Sequence, residues 1–136
     1  MAIEPIYQVS AEDARKMLDG TITEKEWRDQ VMQMMDLYGW EVILHIPDRL
    51  YQVVAQAART DKSLVPAAAA IKGFPDLFIG HRTRGQHLFL ELKKEDGQPS
   101  PFQREKFGLI WGSGLSGGYF QPHDFDMLNE FLRGKK

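Results

Sequence analysis

The sequence predicts a mixed α/β domain, a central sheet of both strand orientations with helices on its two faces. Three observations carry that expectation. Residues 23–39 open on Thr23-Glu24-Lys25-Glu26 and continue as a stripe of Trp27, Val31, Met34, Met35 and Tyr38 at helical spacing. Residues 86–93 alternate strictly, with Leu88, Leu90 and Leu92 on one side and His87, Phe89, Glu91 and Lys93 on the other. Together with the remaining periodic segments these give the order α-α-β-insert-β-β-α-β-α.

Length and composition agree with a single packed unit. The chain has 136 residues, 43% of them hydrophobic and 26% charged, and no cysteine. That excludes a disulfide scaffold, a thiolate zinc site and thiol catalysis. No apolar run reaches the ~18–20 residues that span a bilayer, so no membrane partner is expected. Met1-Ala2-Ile3-Glu4-Pro5 lacks the basic start and apolar stretch of a signal peptide. A cytoplasmic location is the resulting expectation. The net charge of −2 is unevenly spread: residues 1–50 carry ten acids and five bases, and residues 51–136 nine acids and twelve bases. A cationic face in the second part remains compatible with a slightly acidic chain.

Taken in order, Ser10-Ala11-Glu12-Asp13 caps a first helix that stops at Gly20. Its apolar residues, Ala14, Met17 and Leu18, form a narrow stripe, so residues 1–20 read as a peripheral helix ahead of a domain at 21–136. The second helix ends at Gly39. A strand follows over 40–46, with Trp40, Val42, Leu44 and Ile46 expected on one face and His45 on the other. Residues 48–72 form an insert: Leu50, Val53, Val54 and Ala57 have helical spacing, 60–63 reads as a loop, and the alanines of 67–70 suit helix or ordered loop. A strand at 75–80, a turn at 82–85 and the strand at 86–93 make a β-hairpin. Ser100 as N-cap and Pro101 at the first helical position start the next helix, which Gly112 should end. A short strand near 118–121 and a helix from about Asp124, carrying Phe125, Leu128, Phe131 and Leu132, complete the chain.

The hairpin gathers the chemistry. Asp76 begins its first strand, while Glu91 and Lys93 share one face at the end of its second. Carboxylates brought that close repel unless a proton or cation intervenes, and hard oxygen donors suit Mg²⁺ or Mn²⁺. A neighbouring ammonium can orient water or steady developing negative charge. Each residue alone has a plainer use: Asp76 as a strand-start acid, Glu91 and Lys93 as a cross-strand ion pair, Gln103 as a capping residue.

Gly73-Phe74-Pro75-Asp76, fourteen residues, then Glu91-Leu92-Lys93 resembles the PD-(D/E)xK nuclease core. The Thr-Glu-x-Glu helix leading to Gly39-Trp40, Gly97, Ser100-Pro101-x-Gln103 and Tyr119-Phe120-x-Pro122 narrow the resemblance to the VRR-NUC branch, over residues 21–132. That resemblance implies a restriction-endonuclease-like fold and a Mg²⁺- or Mn²⁺-dependent DNA endonuclease of a bacterium or phage-infected cell. It implies structure-selective cutting of branched DNA, as by a Holliday-junction resolvase, and a homodimer. By the same resemblance Asp76, Glu91 and the Leu92 carbonyl hold metal, Lys93 is the catalytic lysine, and Gln103 lies near the site. The first-helix ligand is Glu24 or Glu26; Glu24 lies about 40° from the centre of the apolar stripe and Glu26 about 120° away, which favours Glu24. His45, Arg49, Arg59, Lys62, Lys72, Lys94 and Arg104 are candidate DNA contacts. The insert at 48–72 departs from the family pattern and reads equally as a DNA clamp, a dimer element or a surface excursion. A nicking, flap or restriction-like nuclease, and a non-catalytic DNA-binding subunit with the same fold, remain open alternatives.

Overall fold

A computed structural model describes residues 5–134; Met1 to Glu4, read above for a leader, and the last two residues of the expected domain lie outside them. Helices α1 (Ala11–Asp19), α2 (Glu24–Tyr38), α3 (Asp48–Ala57), α4 (Val65–Ile71), α5 (Pro101–Gly112) and α6 (Phe125–Arg133) accompany strands β1 (Trp40–His45), β2 (Leu77–His81), β3 (Gln86–Leu92) and β4 (Gly117–Phe120). Single 3-10 turns occupy Lys62–Leu64 and Pro122–Asp124. The strands form one sheet in the order β1-β2-β3-β4, antiparallel across the first two pairings and parallel across the last. The protein is thus mixed α/β, with a four-stranded mixed sheet flanked by helices. Among the described residues no helix is long and apolar enough to cross a membrane.

The alternation in β3 decides the layers. Leu88, Leu90 and Leu92 pack with Trp27, Val31, Met34 and Met35 of α2 and Leu128 and Leu132 of α6. Phe89, on the opposite face, packs with Phe107 and Ile110 of α5. Helix α2 begins with the expected reciprocal box, Thr23 Oγ accepting from the Glu26 amide and Glu26 accepting from the Thr23 amide, and ends at Gly39 with φ +85°. Helix α1 buries none of its residues and is held to α2 by the Lys16–Glu26 ion pair. Lys16 and the Thr23 amide together draw the Glu26 carboxyl down to about 2.

The expected single face of β1 is corrected by a bulge. Val42 pairs with Ile79, yet Leu44 pairs with Phe78, so Ile43 is an extra residue and the side-chain alternation slips by one. Trp40 is the buried residue of β1, while Val42 and Leu44 are exposed. Helix α5 also runs past the expected boundary: it includes Gly112, and the left-handed turn falls on Gly114.

Candidate functional site

The β2–β3 register, with Leu77 opposite Leu90, sets Asp76 opposite Glu91 when continued by one residue. Cross-strand neighbours of this kind have Cβ atoms about 5 Å apart. Both acids are nearly removed from water, Asp76 at 4% exposed and Glu91 at 2%. Protein cations attend each. The Arg28 guanidinium lies 3.6 Å from Asp76 and the Lys93 ammonium 3.7 Å from Glu91. Asp76, Glu91 and Gln103 line one cavity of about 190 Å³ together with residues of the insert.

Backbone ties hold the acids where the strands converge. The Asp76 carbonyl accepts from the Ile46 amide at 2.9 Å, extending the β1–β2 pairing to the cavity wall. The Phe120 carbonyl accepts from both the Lys93 amide and the Trp27 indole, each at 3.0 Å, which fixes the end of β3 against the start of α2. Gly73 is required where it stands. Its φ is +72°, and a Cβ there would come within 2.5 Å of the Phe102 carbonyl group. This close approach seats the start of α5 against the Gly-Phe-Pro-Asp turn.

The sequence candidates divide into several positions. Asp76, Glu91 and Lys93 are brought together as expected. Gln103 lines the cavity but is also a capping residue, its Oε1 accepting from the Ser100 amide at 2.8 Å. Glu26 is occupied by Thr23 and Lys16. Glu24 begins α2 one turn before Arg28, and among the described residues no group of three His, Asp or Glu side chains is arranged to hold a metal ion. His45 is paired with Leu77 through the bulged register and therefore shares the α2 side of the sheet, not that of Glu91. Lys72 lines the cavity, whereas Arg49, Arg59, Lys62, Lys94 and Arg104 are exposed and do not line it. Arg28, Tyr51 and Phe102 were not among the candidates. Arg28 alone left a signal, standing four residues after Glu24 on the same flank of α2.

A hydrogen-bonded loop links β3 to α5. Gln121 Nε2 donates to the Glu95 and Gly97 carbonyls, and the His123 ring meets the Glu95 carboxylate. That hydrogen bond with Glu95 raises the His123 pKa above 6.5. A group whose folded pKa is raised contributes stability below its ordinary pKa and loses it as pH rises through the folded value. The loop is therefore expected to be held best below pH 6.5. Amide spectra of Gly97 followed between about pH 6 and 9 should show loosening with rising pH, and His123→Gln should flatten that dependence.

Fold and site together define a mixed α/β protein with a paired-carboxylate cavity at the open end of a β-hairpin. No family model, curated protein or solved structure matches the chain.

Proposed function

We propose that this protein is a Mg²⁺- or Mn²⁺-dependent DNA endonuclease with a restriction-endonuclease-like core, a VRR-NUC member that cuts branched DNA as a cytoplasmic homodimer. One observation carries the reading. Asp76 and Glu91 face one another across the hairpin in a single cavity, with Lys93 beside Glu91. The donor set fits a hard divalent cation, because two buried carboxylates share a recess roomy enough for an ion with its waters. Asp76 and Glu91 are the residues that would hold it, with the Leu92 carbonyl and Glu24 as the further ligands the family resemblance implies. Such an ion supplies charge neutralisation at the phosphate and a more acidic water.

The chain's own groups account for the rest. Arg28 holds the Asp76 carboxylate in place from α2. The Lys93 side chain, 19% exposed, keeps its ammonium 3.7 Å from Glu91, where it can align an attacking water and offset charge on the phosphoryl oxygens. Attack in line joins the water oxygen to phosphorus and breaks the opposite P–O ester bond, the departing oxygen leaving with a proton. The Gln103 amide, which also lines the cavity, can donate to a phosphate oxygen.

The direct test is cleavage of plasmid and synthetic four-way junctions in Mg²⁺ and in EDTA. Cutting should require the metal, and Lys93→Ala should slow it by about 10² or more. Equal rates in EDTA, or in Lys93→Ala, exclude the assignment.

A further inference from the structure

The insert at 48–72 does not lie apart from the acids: its residues form one wall of their cavity. Tyr51 of α3 and Lys72 after α4 face the recess that holds Asp76 and Glu91, and Phe102 of α5 closes it from the other side. Two larger hollows adjoin the recess through shared lining residues. Tyr51 also borders one of about 490 Å³ that ends at Arg59. Lys72 and Phe102 also border one of about 350 Å³ that contains Lys106, Leu109 and Glu105. The recess shares Tyr51 with the hollow that holds Arg59, and Lys72 and Phe102 with the hollow that holds Lys106; read together they make a furrow bordered by two rings and three cations.

The lining of that furrow is selective. Phe102 is 48% exposed at the second position of α5, and the Lys72 ammonium lies 3.5 Å from its ring centre and 5.9 Å from that of Tyr51. A cation at that distance attracts the ring face and keeps both groups in register. Two rings lining the cavity of the acids, with Lys72 between them and Arg59 and Lys106 in the adjoining hollows, match a strand whose bases are free to stack and whose phosphates need neutralising. A paired duplex cannot use them. Its bases are already stacked on one another and offer no free faces to the rings.

We infer that residues 48–72 and the first turn of α5 form a track for an unpaired DNA strand, with Tyr51 and Phe102 stacking bases next to the scissile phosphate. The inference rests on the nuclease reading for what happens at that phosphate. The track itself is a statement about binding. At a branched substrate it selects the strand freed at the branch point.

Fluorescence anisotropy with the full chain in Ca²⁺, using Lys93→Ala to suppress cutting, tests the track. A labelled single strand should bind at least about tenfold more tightly than its blunt duplex. Tyr51→Ala and Phe102→Ala should each weaken strand binding by about tenfold, while Tyr51→Phe keeps it, the range expected for one base–aromatic stack. Circular dichroism melts confirm that each variant is folded. The track is overturned if duplex and strand bind equally, if both alanine variants bind as the parent does, or if an RNA strand of the same sequence binds more tightly than DNA. The two readings separate cleanly. Ring-dependent strand binding without cleavage in Mg²⁺ removes the nuclease and leaves the track, whereas metal-dependent cleavage of blunt duplex unmoved by Phe102→Ala does the reverse.

Discussion

Asp76→Asn is expected to lower metal-dependent cleavage by about 10²–10³-fold while leaving the chain folded. The substitution keeps the volume of a side chain that is 4% exposed and removes its charge. It takes one of two hard anionic donors from the cavity, so Mn²⁺ affinity measured by calorimetry should fall with the rate. Stability should change little, because two effects oppose. Arg28 loses the carboxylate 3.6 Å away, and Glu91 loses a like charge across the hairpin. Arg28 retains access to water, its side chain being 27% exposed, so it is not stranded as a buried ion. Cleavage at the parental rate by a folded Asp76→Asn chain would falsify the role given to the pair.

Trp27→Ala should cause the largest loss of stability in the molecule, about 3–5 kcal/mol by urea unfolding. The indole is fully buried between α2 and the sheet, among Val31, Leu90 and Leu92 of the same core. Its Nε1 also donates to the Phe120 carbonyl at 3.0 Å. Trp27→Phe separates the two contributions, since it keeps most of the apolar volume and loses the donor, and it should cost about 1 kcal/mol beyond the volume change. A Trp27→Ala chain within about 1 kcal/mol of the parent would show that α2 is held by other contacts.

The elements most legible in the sequence were those whose information is local. Thr23 with Glu26, and Ser100 with Pro101, announced the two helix starts because a cap is satisfied by its own next three residues. The β3 alternation announced both layers, because Leu and Phe or Glu at successive positions can only belong to opposite faces. It also placed Glu91 and Lys93 together, and the short turn brought Asp76 opposite. In β1 the same logic lost its signal. Val42, Ile43 and Leu44 are consecutive apolar residues, so the pattern reads equally well before and after a one-residue slip, and the bulge went unseen. His45 was assigned to the wrong side of the sheet for that reason.

Long-range placement was not legible either. Residues 48–72 formed the expected helical turns, but nothing in their own periodicity states which surface they cover. Only the fold brings Tyr51 and Lys72 to the cavity. Gly112 and Gly114 both offer a helix stop, and the choice between them depended on where β4 begins. Arg28 was overlooked because an arginine on the flank of an amphipathic helix is ordinarily solvated, and its partner is 48 residues away in the chain.

The two lone pairs of the Phe120 carbonyl oxygen are both in use, one by the Lys93 amide and one by the Trp27 indole. A carbonyl shared in this way acts as a mechanical joint. Any fluctuation that lifts β4 releases the end of β3 and the head of α2 in the same movement, so those segments open as one cooperative unit. The ammonium of Lys93 and the guanidinium of Arg28 are carried by the two parts so joined. Each acid is therefore attended by a cation borne on a segment anchored to the same peptide oxygen, so loss of that anchor should loosen both charge pairs at once.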